Sequence, residues 1–290
     1  MKKSFLFLSL IAIFLFVSCA KPPQVVSFSP STQNKNVFKI VEGKKTNKNL
    51  GLTTALILPK GSIPSFEQTS STTNPFTNPL TLMQNILRAY KISYKSANLP
   101  EDFKRNLAKS LEAILLNKGY KVTGPYKSLN EMTYSDKKSV DFVLIPVVEL
   151  YPEIQDNGCK NKTPLTVSSL TPAVQKGEIY CSGQVRFKGQ LLFELREPLT
   201  QEKIYIKGID FETEPENFEA KVVYEREQDM SQAIMLAQRT KLMAINNALN
   251  NALVSAYNKF IEMFKKYMPE GEEARQLEKQ IKELKKLKRY

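Results

Sequence analysis

QVRFKGQLLFELR, running from Gln184 to Arg196, is the stretch that decides the fold. Val185, Phe187, Leu191, Phe193 and Leu195 fall on one face, and Gln184, Arg186, Lys188, Gln190, Glu194 and Arg196 on the other. A period of two with one apolar face describes a strand that lies on a core and shows its other side to water. Glu197-Pro198-Leu199-Thr200-Gln201-Glu202 supplies a turn, and Lys203 to Phe211 returns as a partner. The pattern predicts a long antiparallel hairpin.

Three more strands follow from apolar runs. Leu52 to Leu58 is a short buried run ended by Pro59, and Tyr120 to Thr123 is a second short strand. Val140 to Leu150 is apolar almost throughout, as expected of a strand covered on both faces. Pro146 interrupts it and removes a ladder donor, which predicts a bulge or an edge position there. The segment 61–79 is poor in apolar residues and reads as a long surface loop.

Helical spacing is clearest at 101–118, where Phe103, Leu107, Leu111, Ile114 and Leu115 share a face. Glu101 and Asp102 suit the positive N-terminal end, and Gly119 is the stop. A longer helix, 231–267, carries the alanine-rich stripe Ile234, Ala237, Ile245, Ala248, Leu249, Ala252, Ala256 and Phe260. Pro269 and Gly271 end it. A last basic segment, 272–289, repeats Leu277, Ile281, Leu284 and Leu287 at steps of four, three and three, so it reads as an amphipathic helix. Two roles are open for it, a solvated tail or a helix that binds an anionic partner or another chain. The domain is expected to be complete without it.

The fold class is therefore α+β: an antiparallel or mixed sheet of about five strands packed by two main helices. Residues 1–18 form a lipoprotein signal peptide, 19–50 a lipid-anchored disordered tether, 51–268 the domain and 269–290 the basic helical tail. The signal has a basic head, Met1-Lys2-Lys3, and an apolar run from Phe5 to Val17. That run is too short for a spanning helix of about 20 residues. It ends in Val17-Ser18-Cys19, and the thiol of Cys19 is the atom that diacylglycerol modification requires. A plain secretory signal with an incidental cysteine is the alternative. Three acyl chains, palmitate among them, make such an anchor effectively permanent. Ala20 in place of an Asp leans towards the outer membrane, with the leaflet left open.

The 42 basic residues, less Lys2 and Lys3 of the signal, leave 40 against 29 acidic ones, a net charge of +11. Such a balance favours anionic partners: a sialylated or acidic glycan, anionic lipid or peptidoglycan, with a protein partner also open. Nucleic acid is a poor partner for an exported chain. The chain has no histidine, which excludes Ser-His-Asp and Cys-His catalysis and His-ligated zinc. It also lacks phosphate-loop and nucleophile-elbow motifs. No catalytic residue, metal or cofactor is expected, and an envelope hydrolase is the weaker reading. Cys159 and Cys181 remain once Cys19 is used, and two cysteines of an exported chain most often pair. A bridge across this separation contributes about 3 kcal/mol, with two free thiols as the alternative.

Four stretches carry a family resemblance: Asn117-Lys118-Gly119-Tyr120-Lys121-Val122, Met132-Thr133-Tyr134-Ser135-Asp136-Lys137-Lys138, the turn at Glu197-Pro198 and Glu202, and the helix holding Ala248-Leu249 and Phe260 with its basic continuation. Together they resemble the neuraminyllactose-binding haemagglutinin family of lipoproteins from Helicobacter and its relatives, over roughly 52–290. The resemblance implies an adhesin-like protein that binds sialylated glycans through a short basic segment after the apolar strand. That segment here is Cys159-Lys160-Asn161-Lys162-Thr163, so Lys160, Lys162 and Thr163 are the implied glycan contacts. A solvated loop beside a disulfide is the alternative. A periplasm-facing structural or assembly lipoprotein is the rival function.

Overall fold

The structure is a computed structural model and describes residues 24–28, 38, 40–43, 49–67, 93–162, 177–225 and 230–288. Its strands are β1 Gln24–Phe28, β2 Thr53–Ile57, β3 Lys60–Glu67, β4 Ser93–Asn98, β5 Lys121–Tyr126, β6 Phe142–Lys162, β7 Gly177–Arg196, β8 Lys203–Glu212 and β9 Glu216–Tyr224. Its helices are α1 Glu101–Lys118, α2 Tyr134–Ser139, α3 Met230–Tyr267 and α4 Gly271–Lys288. The strands join in the order β1-β9-β7-β6-β2-β5, with β8 on β7, β3 on β6 and β4 on β3. β2 runs parallel to β5 and β6, while β7 is antiparallel to β8 and β9. The class is thus α+β with a mixed sheet and two main helices, α1 and α3. The described sheet has nine strands where apolar runs predicted about five.

The chain divides into two compact units. Unit 1 is Met1–Asn34, Ile154–Val185 and Glu216–Ala248; unit 2 is Lys35–Glu153, Arg186–Pro215 and Leu249–Tyr290.

In unit 2, α1 buries Phe103, Leu107, Leu111, Ile114 and Leu115. Each such side chain contributes about 1.5–3 kcal/mol when removed from water. Gly119 ends the helix at φ 97°, a left-handed cap that a Cβ would oppose, and its N–H returns to Leu116. The C-terminal part of α3 adds Tyr257, Phe260 and Phe264. Their rings meet Phe103, Phe211 and Phe193 edge-on at centroid distances of 5.7, 4.5 and 5.0 Å. The one hydroxyl in this cluster is satisfied. Tyr257 Oη lies 2.7 Å from Ser110 Oγ and donates to the Asn106 carbonyl at 3.0 Å. Burial raises its pKa, and the Ser110 bond opposes the shift. A second apolar cluster joins Ala55, Ile57, Leu129, Met132, Val140, Val143 and Ile145. The hairpin turn is held by Glu197, whose carboxylate accepts from the Leu199 N–H at 2.8 Å and from the Thr200 hydroxyl at 2.9 Å.

One reading of the sequence is corrected in this unit, and one is located. Residues 60–67 are the strand β3 and not surface loop, while 68–79 lie outside the described residues. β3 is paired with β6 through Lys60↔Val147, Gly61↔Val148 and Ser62↔Glu149, and a backbone ladder needs no apolar periodicity. At Pro146 one side of β6 meets neither β2 nor β3, a local edge position of the kind its missing donor predicts. The proline sits where β6 changes partner, from β2 (last pair Leu56↔Leu144) to β3 (first pair Lys60↔Val147). No rung of either ladder requires its missing donor.

The basic C-terminal segment departs most from its sequence reading. Ala274, Leu277 and Ile281 of α4 are buried, and Lys285 Nζ pairs with Asp141 at 2.9 Å. The other Asp141 oxygen accepts from the Thr53 N–H at 2.8 Å. Ahead of α4, the Met268 and Pro269 carbonyls accept from Lys118 Nζ and Tyr120 Oη at 2.9 and 2.8 Å. The apolar stripe is thus packed on its own domain as far as Ile281, and Leu287 alone of the four stripe residues is 80 % exposed. The segment is a part of unit 2 and not a free tail.

The expected disordered tether is also corrected where it is described. Gln24–Phe28 pairs as β1 with β9, because Val25-Val26-Ser27-Phe28 is a β-prone run set among polar residues. Farther on, the Phe38 ring meets Phe103 edge-on at a centroid distance of 5.7 Å, and the Val41 N–H donates to Ser110 Oγ at 3.0 Å.

Candidate functional site

The implied glycan contacts stand at the end of β6, in unit 1. Their direction is set by a break in the strand's phase. Asp156 pairs with Lys241 of α3, and Gln238 of the same helix donates to Cys159 Sγ at 3.7 Å. Residues 156 and 159 therefore both face α3, although an unbroken pleat would send them to opposite sides. Gly158 absorbs the extra residue. It has φ 75°, and its N–H donates to Asp156 Oδ1 at 2.9 Å. This is the behaviour of a glycine bulge. Beyond it, Cys159 and Asn161 face the helix, and Lys160 and Lys162 face outward.

On the helix side, Cys159 meets Cys181 of β7. Their Cα atoms are 4.0 Å apart and the sulfurs 2.07 Å, a disulfide. Asn161 is exposed but tied to this side: its Nδ2 donates to Tyr224 Oη at 3.0 Å and lies 3.7 Å from Met230 Sδ.

On the outer face, Lys162 Nζ sits 4.5 Å over the Tyr180 ring. The Tyr180 pKa is raised, first by burial and then by its hydrogen bond to the Glu219 carboxylate, against a smaller effect of Ser182. Lys221, opposite Tyr180 in the β7–β9 ladder, pairs with Glu178 at 2.5 Å. Lys160 is exposed. The structure thus brings Lys160 and Lys162 to one face and adds Tyr180 and Lys221, which the sequence reading missed. A strand-to-strand neighbour has no fixed spacing, so no local signal marked them. Thr163 and Cys19 lie outside the described residues.

The phase break is testable. Gly158→Val is expected to cost about 1–2 kcal/mol, because a β-branched residue resists positive φ. Nothing lies within 4 Å of the added Cβ, so the loss reports backbone alone. Urea denaturation measures it, and Gly158→Asn should recover part of the loss. A valine variant as stable as the parent would remove the bulge from the account.

Among the described residues no group of three or more His, Cys, Asp or Glu side chains could hold a metal ion. Among those residues, too, no helix is long and apolar enough to cross a membrane. No family model matches the chain, and no curated protein does. Solved structures give distant likenesses. One is a proposed neuraminyllactose-binding haemagglutinin homologue from Helicobacter pylori, with 18% identity, a TM-score of 0.39, and coverage of 78% of this chain and 96% of that one. Another is the PelC dodecamer from Paraburkholderia phytofirmans, with 11% identity, a TM-score of 0.22, and coverage of 74% and 94%. Likenesses at this level assign neither family nor function, so the reading of this chain rests on its own residues.

Proposed function

We propose that this chain is an exported, lipid-anchored protein of the outer membrane that binds an anionic envelope component and carries out no catalysis. The observation that carries it is the bonded Cys159–Cys181 pair, read together with the signal-like pattern from Met1 to Cys19. Disulfides persist in oxidising compartments and are rare in the cytosol. The export pattern and the cross-link therefore support one another from separate parts of the sequence. The net charge of +13, or +11 without Lys2 and Lys3, and the outward Lys160 and Lys162 support an anionic ligand class. The sialylated glycan implied by the family resemblance belongs to that class. The lack of histidine removes the commonest hydrolytic machinery and supports a binding role.

Cys19→Ala tests the anchor. The parent chain should incorporate palmitate and enter the detergent phase, and the variant should do neither. Palmitate on the variant would defeat the reading. Protease treatment of intact cells then decides the leaflet, since a surface-facing chain is cut and a periplasm-facing one is protected.

A further inference from the structure

We propose that the outer face of unit 1 around Lys160, Lys162 and Tyr180 docks on the anionic phospholipid surface of the bilayer that holds Cys19; this rests on the lipid-anchor reading above. Four residues separate Cys19 from the first strand. β1 pairs with β9 through Gln24↔Val223, and β9 pairs with β7 through Val223↔Glu178. The contacts Cys159–Cys181 and Glu153–Arg186 run in opposite senses along β6 and β7, so these strands are antiparallel. Three residues on from the disulfide, Lys162 falls opposite Glu178. Gln24, Val223, Glu178 and Lys162 thus share one rung. At about 4.8 Å per strand, Gln24 and Lys162 lie roughly 14 Å apart.

Cys19 precedes Gln24 by five residues. Fully extended, that length spans at most about 18 Å. A lipidated Cys19 therefore holds this end of unit 1 against the head groups and not at the end of a long leash. What the face presents there suits an anionic surface. Lys160 and Lys162 are exposed, and Lys21 adds a charge in the lead itself. Of the carboxylates beside them, Glu178 is paired with Lys221, and Glu219 accepts from the Tyr180 hydroxyl and keeps its charge, so Lys160 and Lys162 outnumber it two to one. Tyr180 offers a ring with a polar tip, the amphipathic shape that settles at an interface. Phosphate is the group the two ammonium heads would meet.

The test uses the mature chain carrying Cys19→Ser, so that no acyl chain contributes. It is mixed with vesicles of phosphatidylcholine, with or without phosphatidylglycerol. Binding should require phosphatidylglycerol and weaken with salt. The double variant Lys160→Glu, Lys162→Glu should bind more than tenfold more weakly, since each basic side chain at such a surface contributes on the order of fivefold. The charge-matched variant Lys279→Glu, Lys286→Glu on the exposed side of α4 should bind as the parent does. Equal losses in both variants would mean attraction by overall charge and overturn the proposal. Loss of sialyllactose binding in the first variant, with vesicle binding intact, would also overturn it and assign the lysines to a glycan.

A second readout uses the lipidated chain. It contains no tryptophan, so Tyr180→Trp gives a single reporter. Head-group spin-labelled lipid should quench that reporter in vesicles; an unquenched Trp at this position sinks the docking. Palmitate labelling is scored separately, so a failed anchor and a failed lysine face show in different assays.

Discussion

Truncating the chain after Pro269 lowers its melting temperature by about 10–20 °C. The deletion takes away Leu277, Ile281 and Ala274, which are 5, 2 and 1 % exposed. Two large aliphatic side chains and a methyl group are worth roughly 4–7 kcal/mol at ordinary burial coefficients. Domain stability is itself about 5–15 kcal/mol, and each kcal/mol moves the midpoint of a protein this size by about 2–4 °C. The ion pair of Lys285 with Asp141 goes too, which leaves the carboxylate that accepts from Thr53 without its cation. Circular dichroism melts of the two chains decide the matter. A truncated protein that melts within about 3 °C of the parent would return α4 to the status of a tail. The helix ends at Pro269 and Gly271 suggest a boundary, but a helix stop marks a corner in the chain and not the limit of a core.

Replacing Gly61 by alanine is the second large effect. Gly61 has φ 139°, and an added Cβ would stand 1.7 Å from the Val148 carbonyl oxygen. Both sides of that approach are backbone, so no flexible side chain can give way. Either β3 leaves β6 or the sheet deforms, at roughly 2–5 kcal/mol from strained φ and overpacking together. Gly51→Ala is the matched control. Its φ of 72° is also positive, but nothing stands within 4 Å of the new atom. It should lose about 1–2 kcal/mol. Equal urea midpoints for the two variants would show that the close approach of β3 and β6 contributes nothing.

The strands legible in the sequence were those that bury side chains at a regular period. β7 and β8 carry alternation over long runs, and β2 and the first half of β6 are continuous apolar blocks. β1 is a run of five residues within a polar stretch, and β3 and β4 lack a regular apolar period, so these three escaped. KGSIPSFE has no face that periodicity could find. β9 was readable, since Phe218, Ala220, Val222 and Tyr224 alternate inward, yet it follows an acidic turn that masked it. The second half of β6 failed for a different reason. Gly158 inserts a residue and reverses the pleat, so YPEIQDNGCKNK shows no single period. The candidate site inherits that difficulty. The basic character of Lys160 and Lys162 was plain, but their outward direction depends on the bulge. Tyr180 joins them only across the ladder. Cys159 and Cys181 were the long-range pair the sequence could name, because a thiol has so few partners.

β5 closes the strand path on the side away from β1, so one of its edges meets no strand of that path. Edges of this kind recruit strands from other molecules and seed aggregates. β5 is a poor template. Lys121 places a charge at its start, and Pro125, next to Gly124, lacks the N–H an incoming strand would need. A second copy that meets this edge therefore finds few open donors along it, and the sheet resists growth on that side.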